Sequence, residues 1–95
     1  MLIEQKIERA RLSQSQQLIA DYLLEKRSNI KDMTIKELAV ATYTSTGTII
    51  RLAKKLGYHG YEDFKADFLK EVYYLDTHFK NIDPNFPFVN TDNIQ

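Results

Sequence analysis

The side chains able to act chemically in concert lie between Thr34 and Gly57. Ser45, Thr46, Gly47 and Thr48 put three short hydroxyl side chains and one bare backbone position in succession, and Arg51, Lys54 and Lys55 follow with fixed positive charge. Hydroxyls and a guanidinium can hydrogen-bond to base edges or phosphate oxygens, and ammonium groups suit phosphate. No acid interrupts the stretch from Tyr43 to Tyr61. This is chemistry for recognising a polyanion. Short polar groups ahead of cations, opposite an apolar stripe, are what a helix needs when its N-terminal end enters the major groove of DNA. Gly47 permits close backbone approach, and Ile50, at the edge of the same face, can meet a thymine methyl. The expected base-edge contacts are therefore Thr46, Gly47, Thr48 and Arg51, and the expected phosphate contacts are Ser45, Lys54 and Lys55. Thr34, at the start of the preceding helix, is added as a further backbone contact. A plainer reading stands beside this for Lys54 and Lys55, because cations near a helix C-terminus also satisfy its dipole.

Charge distribution favours the first reading. Net charge is zero and the isoelectric point is near 6.7, which alone argues against a nucleic-acid partner. Residues 26–61, however, carry seven basic side chains against two acidic ones, whereas residues 62–95 carry three against seven. A polyanion responds to the local field rather than the total.

Other chemistry is poorly supplied. There is no cysteine, and His59 and His78 are not paired at metal-ligand spacing, so no metal or other cofactor is expected. Neither paired catalytic carboxylates, nor a nucleophile with its base, nor a phosphate-cradling loop is visible, so the chain reads as no enzyme. His59, beside Gly60, reads as a solvated turn residue, with a phosphate contact as the sharper alternative. Apolar runs are too short for a membrane span, and the N-terminus turns charged too early for a secretory signal. The expected location is the cytoplasm.

These groups need a helical frame. No proline occurs before Pro84, and strand alternation is absent. The spacing predicts helices over Leu2–Ala10, from Ser13 to Lys26–Arg27 with Leu18, Ile19, Tyr22 and Leu23 as its stripe, from Thr34, from Ser45 to Leu56, and from Tyr61 to Thr77. Ser13 with Gln16 and Thr34 with Glu37 form capping boxes, and Ser45 is an N-cap. Ile49, Leu52, Ala53 and Leu56 make the buried stripe of the fourth helix, ended by Gly57 in a left-handed cap. Phe64, Phe68, Val72 and Leu75 form the apolar face of the last helix. Its acidic side (Glu62, Asp63, Asp67, Glu71) reads as solvated. Ile30 and Met33 are expected to pack inward from the connector. The expectation is an all-α five-helix bundle containing a helix-turn-helix unit over residues 1–77, followed by a linker over 78–95.

The runs Leu12-Ser13, Ile19-Ala20-Asp21-Tyr22-Leu23, Met33-Thr34-Ile35-Lys36-Glu37-Leu38-Ala39, Thr48-Ile49-Ile50-Arg51-Leu52-Ala53-Lys54-Lys55-Leu56-Gly57-Tyr58 and Gly60-Tyr61-Glu62-Asp63-Phe64-Lys65 resemble, in order and spacing, the N-terminal domain of RpiR-type regulators. Asn85-Phe86-Pro87-Phe88 resembles the linker of Gram-positive members. The resemblance implies control of sugar or amino-sugar genes through operator DNA, as a homodimer or higher homo-oligomer. It also implies a C-terminal sugar isomerase-type domain beyond the linker that binds a phosphosugar effector, a part this chain is expected to lack. Tyr43 departs from the family, which often has Gly or Asn in the turn. A left-handed conformation is costly for tyrosine, so the turn is expected to be built differently. The rival reading is a helical protein-interaction module whose basic patch meets an acidic partner.

Overall fold

Four of the five helices begin where a side chain takes up a free backbone N–H group. In the computed structural model, which describes residues 2–80, Ser13 Oγ accepts from the Gln16 N–H at 3.1 Å and Gln16 Oε1 accepts from the Ser13 N–H at 2.9 Å. Thr34 and Glu37 repeat that reciprocal pair at 3.1 and 2.8 Å. Each of these four bonds satisfies a donor that a helix start leaves unpaired. The elements are α1 (Ile3–Arg9), α2 (Gln14–Lys26), a 3₁₀ turn (Arg27–Ile30), α3 (Ile35–Ala41), α4 (Thr46–Lys55) and α5 (Tyr61–Lys80). The five helices form the all-α fold read from the spacing, with no strand among the described residues. Of the expected linker over residues 78–95, residues 78–80 continue the last helix, and residues 81–95 lie outside the described residues. The last helix runs to Lys80, past the expected end at Thr77.

One apolar cluster joins all five helices. Ile3 and Ile7 of α1, Ile19 and Leu23 of α2, Leu38 of α3, Ile49 and Leu52 of α4, and Phe64, Phe68 and Val72 of α5 are buried together, with Ile30 of the 3₁₀ turn among them. Removing one such side chain from water contributes about 1.5–3 kcal/mol. The Phe64 and Phe68 rings stack at 5.8 Å between centroids, and Tyr58 meets Phe64 edge-on at 5.4 Å. Tyr61 is buried and donates its phenol to the Met33 carbonyl at 2.9 Å. Burial, followed by Glu62 and Glu37, pushes its pKa up to about 12.

Three local expectations are corrected. Leu18 is exposed; the inward stripe of α2 is Gln16, Ile19, Ala20 and Leu23, because a side chain two residues along from Gln16 points away from the core. Leu75 is only half-buried, near the open end of α5. The acidic side of α5 is not merely solvated. Glu71 accepts the Ile3 N–H at 2.7 Å and so caps α1, Asp63 accepts the His59 N–H at 3.2 Å, and Asp67 accepts the Tyr58 hydroxyl. These carboxylates hold α1 and the α4–α5 connection onto α5.

Candidate nucleic-acid interface

Helix α4 is split lengthwise. Ile49, Leu52, Ala53 and, just past its end, Leu56 are all at most 6% exposed. That face anchors α4 against α2, α3 and α5. Opposite it, Arg51 and Lys54 are exposed, and Ile50 lies at the boundary with 37% exposure. Thr46, Gly47 and Thr48 are half-exposed at the N-terminal end.

The polar residues on this face are linked. Ser45 Oγ accepts the Thr48 N–H at 3.2 Å, which caps the helix, and lies 2.9 Å from Thr48 Oγ1. Arg51 Nη2 donates to the same Thr48 Oγ1 at 3.2 Å. The guanidinium thus folds back along the helix toward its N-terminus, over Gly47. A Cβ built on Gly47 would lie 3.2 Å from Arg51 Nη1. With a side chain at position 47 the guanidinium would have to give by a few tenths of an ångström. Ser45, Thr48 and Arg51 recur every three residues, so they form one string of donors and acceptors along a single face.

The other expected contacts are placed differently. Thr34 Oγ1 is committed to its own cap, and the Glu37 carboxylate already occupies the start of α3, supplying negative charge there. Lys54 stands free on the outer face, without a hydrogen bond or ion pair among the described residues. Lys55 turns away from Arg51, toward the α1–α2 connection, donating to the Arg11 carbonyl and, at 3.2 Å, to Gln16 Oε1. His59 remains exposed. Nothing local in the sequence marks Arg11, which lies in the first third of the chain, where charges nearly cancel. Its proximity to α4 rests on a contact 44 residues apart in sequence.

The turn before α4 overturns the expectation of a different build. Tyr43 has φ 58°, the left-handed conformation that glycine supplies elsewhere. Its N–H donates to the Val40 carbonyl at 3.2 Å, and the Thr44 N–H donates to the Ala39 carbonyl at 2.9 Å. This is a Schellman cap. The end of α4 repeats it with Gly57 at φ 101°: Gly57 N–H to the Lys54 carbonyl at 3.0 Å and Tyr58 N–H to the Ala53 carbonyl at 2.9 Å. The tyrosine side chain is 93% exposed, so the backbone bonds to Val40 and Ala39, and not packing of the ring, hold position 43 in that conformation. Beside it, Thr42 is buried and donates to the Leu38 carbonyl or shares its hydroxyl with Thr44 at 2.8 Å.

Comparison with known proteins agrees with this geometry. Residues 1–73 match the family model described as the helix-turn-helix domain of the rpiR family. An uncharacterised HTH-type transcriptional regulator encoded in the aarA 3′ region of Providencia stuartii is 40% identical over 57 residues, covering 60% of this chain and 20% of that protein. An HTH-type transcriptional regulator of Clostridium perfringens is 32% identical over 60 residues, covering 63% of this chain and 22% of that protein. Among solved structures, the Vibrio vulnificus NanR protein complexed with ManNAc-6P superposes with a TM-score of 0.67 at 30% identity, over 84% of this chain and 30% of that one. The chain therefore spans about a fifth of the length of the curated relatives it matches. No helix among the described residues is long and apolar enough to cross a membrane. With a family match over most of its length and a split helix following a Schellman turn, this chain belongs to the rpiR helix-turn-helix family and is a DNA-binding regulatory domain.

Proposed function

We propose that α4 enters the major groove of duplex DNA N-terminus first and reads sequence there. Thr46, Gly47, Thr48 and Arg51 face base edges, Ile50 meets a thymine methyl, and Ser45, Lys54 and Lys55 contact phosphate, with Thr34 at the flank. The observation that carries this reading is the Ser45–Thr48–Arg51 string opposite the buried Ile49–Leu52 stripe. It presents a guanidinium at the end of the helix that a groove admits. Gly47 supports it by leaving room for the Arg51 side chain.

Few cations serve one domain, so two copies acting on a two-fold operator supply the affinity. In the whole regulator, residues 1–77 form the DNA-binding unit and residues 78–95 lead to a sugar isomerase-type domain. That domain senses a phosphosugar and mediates homo-oligomerisation, and the regulator acts in the cytoplasm on sugar or amino-sugar genes. The complex of the similar NanR protein with ManNAc-6P supports a phosphosugar as the class of effector.

The test is selection of bound sequences from a random duplex pool by this 95-residue chain. A shared motif of a few base pairs is expected, unaffected by added phosphosugars. Recovery of unrelated sequences at low salt would refute sequence reading by α4.

A further inference from the structure

The α1–α2 corner lies against the C-terminal end of α4. Lys55 gives up the freedom of a long side chain to donate to the Arg11 carbonyl and to Gln16 Oε1. Its third N–H remains for another acceptor. The tie holds the main chain of Arg11 beside the C-terminal end of α4, and the Arg11 side chain is exposed. Two full positive charges thus share one corner. The first turn of α2 and the whole of α4 carry no acid, and the acid nearest to Arg11 in sequence is Glu8 of α1. Glu4 and Glu8 of α1 line a cleft with Leu75 and Asp76 of α5 instead. Asp21, further along α2, is taken by the Gln17 side-chain amide at 2.8 Å. Lys55 stands four residues beyond Arg51, about 6 Å along the helix axis. With Arg51 in the groove, that step leads outward to the flanking backbone.

We infer that Arg11, held beside Lys55, binds a DNA phosphate flanking the bases read by α4, so that the DNA-binding surface extends beyond the helix-turn-helix unit to the α1–α2 corner. The inference rests on the proposed docking of α4. Arg11 adds charge and position but no sequence reading, because phosphate contacts fix register without discriminating bases.

The experiment is a titration of the selected duplex with the 95-residue chain across salt concentration, for the wild type, Arg11→Ala, Arg11→Gln, Arg11→Lys and Lys70→Ala. Loss of one phosphate contact reduces the log–log salt slope by about 0.9, equivalent to roughly an eightfold loss of affinity at 0.1 M salt extrapolated from 1 M. That loss is expected for Arg11→Ala and Arg11→Gln, with sequence preference unchanged. Arg11→Lys keeps the charge and the slope. Lys70→Ala, on α5 among Asp63 and Asp67, is expected to behave as wild type. Helical circular dichroism and melting of each variant separate loss of contact from loss of fold, and Arg11→Gln repeats the charge removal with a long polar side chain. An unchanged slope in folded Arg11→Ala and Arg11→Gln overturns the inference. So does an altered base preference, which would make Arg11 a base reader. Absence of duplex binding by the wild type at low salt overturns the docking itself, before any variant is compared.

Discussion

At the scale of the residue, Gly47 and Tyr43 show a local sequence rule holding in one place and giving way in another. Gly47 lies inside a helix, where glycine costs roughly 0.5–1 kcal/mol relative to alanine. The Arg51 guanidinium lies above it, 3.2 Å from where a Cβ would be. Gly47→Ala is therefore expected to raise thermal stability by about 0.5–1 kcal/mol while weakening duplex binding, because the Arg51 side chain must shift. Melting curves and binding titrations on the same preparation check both signs; a variant that is more stable and binds equally well would detach Arg51 from recognition. Tyr43 runs the other way. Its left-handed backbone costs about 1–2 kcal/mol, and its exposed ring gains nothing back from packing. Tyr43→Gly relieves that strain and loses about 0.4–1 kcal/mol to the greater freedom of the unfolded chain. A net stabilisation of up to about 1.6 kcal/mol is expected, read from the urea midpoint. The sequence shows that the residue is unusual, but not that the Schellman bonds and the buried Thr42 hydroxyl would hold the turn regardless.

At the scale of the element, periodicity located what it could weigh. The α4 stripe is an amphipathic pattern on one short helix, and Ile49, Leu52, Ala53 and Leu56 are all buried as read. Leu52→Ala is expected to cost about 2–5 kcal/mol through the cavity it leaves, and an unmoved melting transition would mean that α4 is rotated relative to its neighbours. In α2 the pattern misplaced Leu18, because five apolar residues between 18 and 23 fit two overlapping stripes and only packing chooses. Neither the capping of α1 by Glu71 nor the tie from Lys55 to Arg11 has a local signature, since both are long-range contacts. The candidate face was legible because its residues are contiguous; its extension to Arg11 was not, because only the fold brings that corner to α4. The tyrosines at the start of α5 give the domain an alkaline limit. Burial raises both phenols above their ordinary value of 10, Tyr61 to about 12 and Tyr58 further, with Asp67 adding to the rise at Tyr58. A neutral-form preference in the folded state contributes stability that is complete below pH 10 and is lost as pH rises from there toward the folded values. Chemical denaturation at pH 8 and above pH 10 should show that decline, with less of it in Tyr61→Phe.

At the scale of the whole molecule, a chain with no net charge is a DNA-binding domain because its charges are segregated. The acids of α5 secure α1 and the α4–α5 connection, while α4 carries cations and no acid. Removing a groove cation and removing a backbone cation should therefore have different signatures. The most direct measurement compares Arg51→Ala and Lys54→Ala on the selected duplex and on variants of it with single base-pair changes, across salt. Arg51→Ala is expected to lose about 1–3 kcal/mol on the selected duplex and to stop distinguishing one or two base pairs. Lys54→Ala is expected to flatten the salt slope by about one unit and to keep the preference intact. Full base selectivity retained in Arg51→Ala would contradict the reading of DNA by this face of α4.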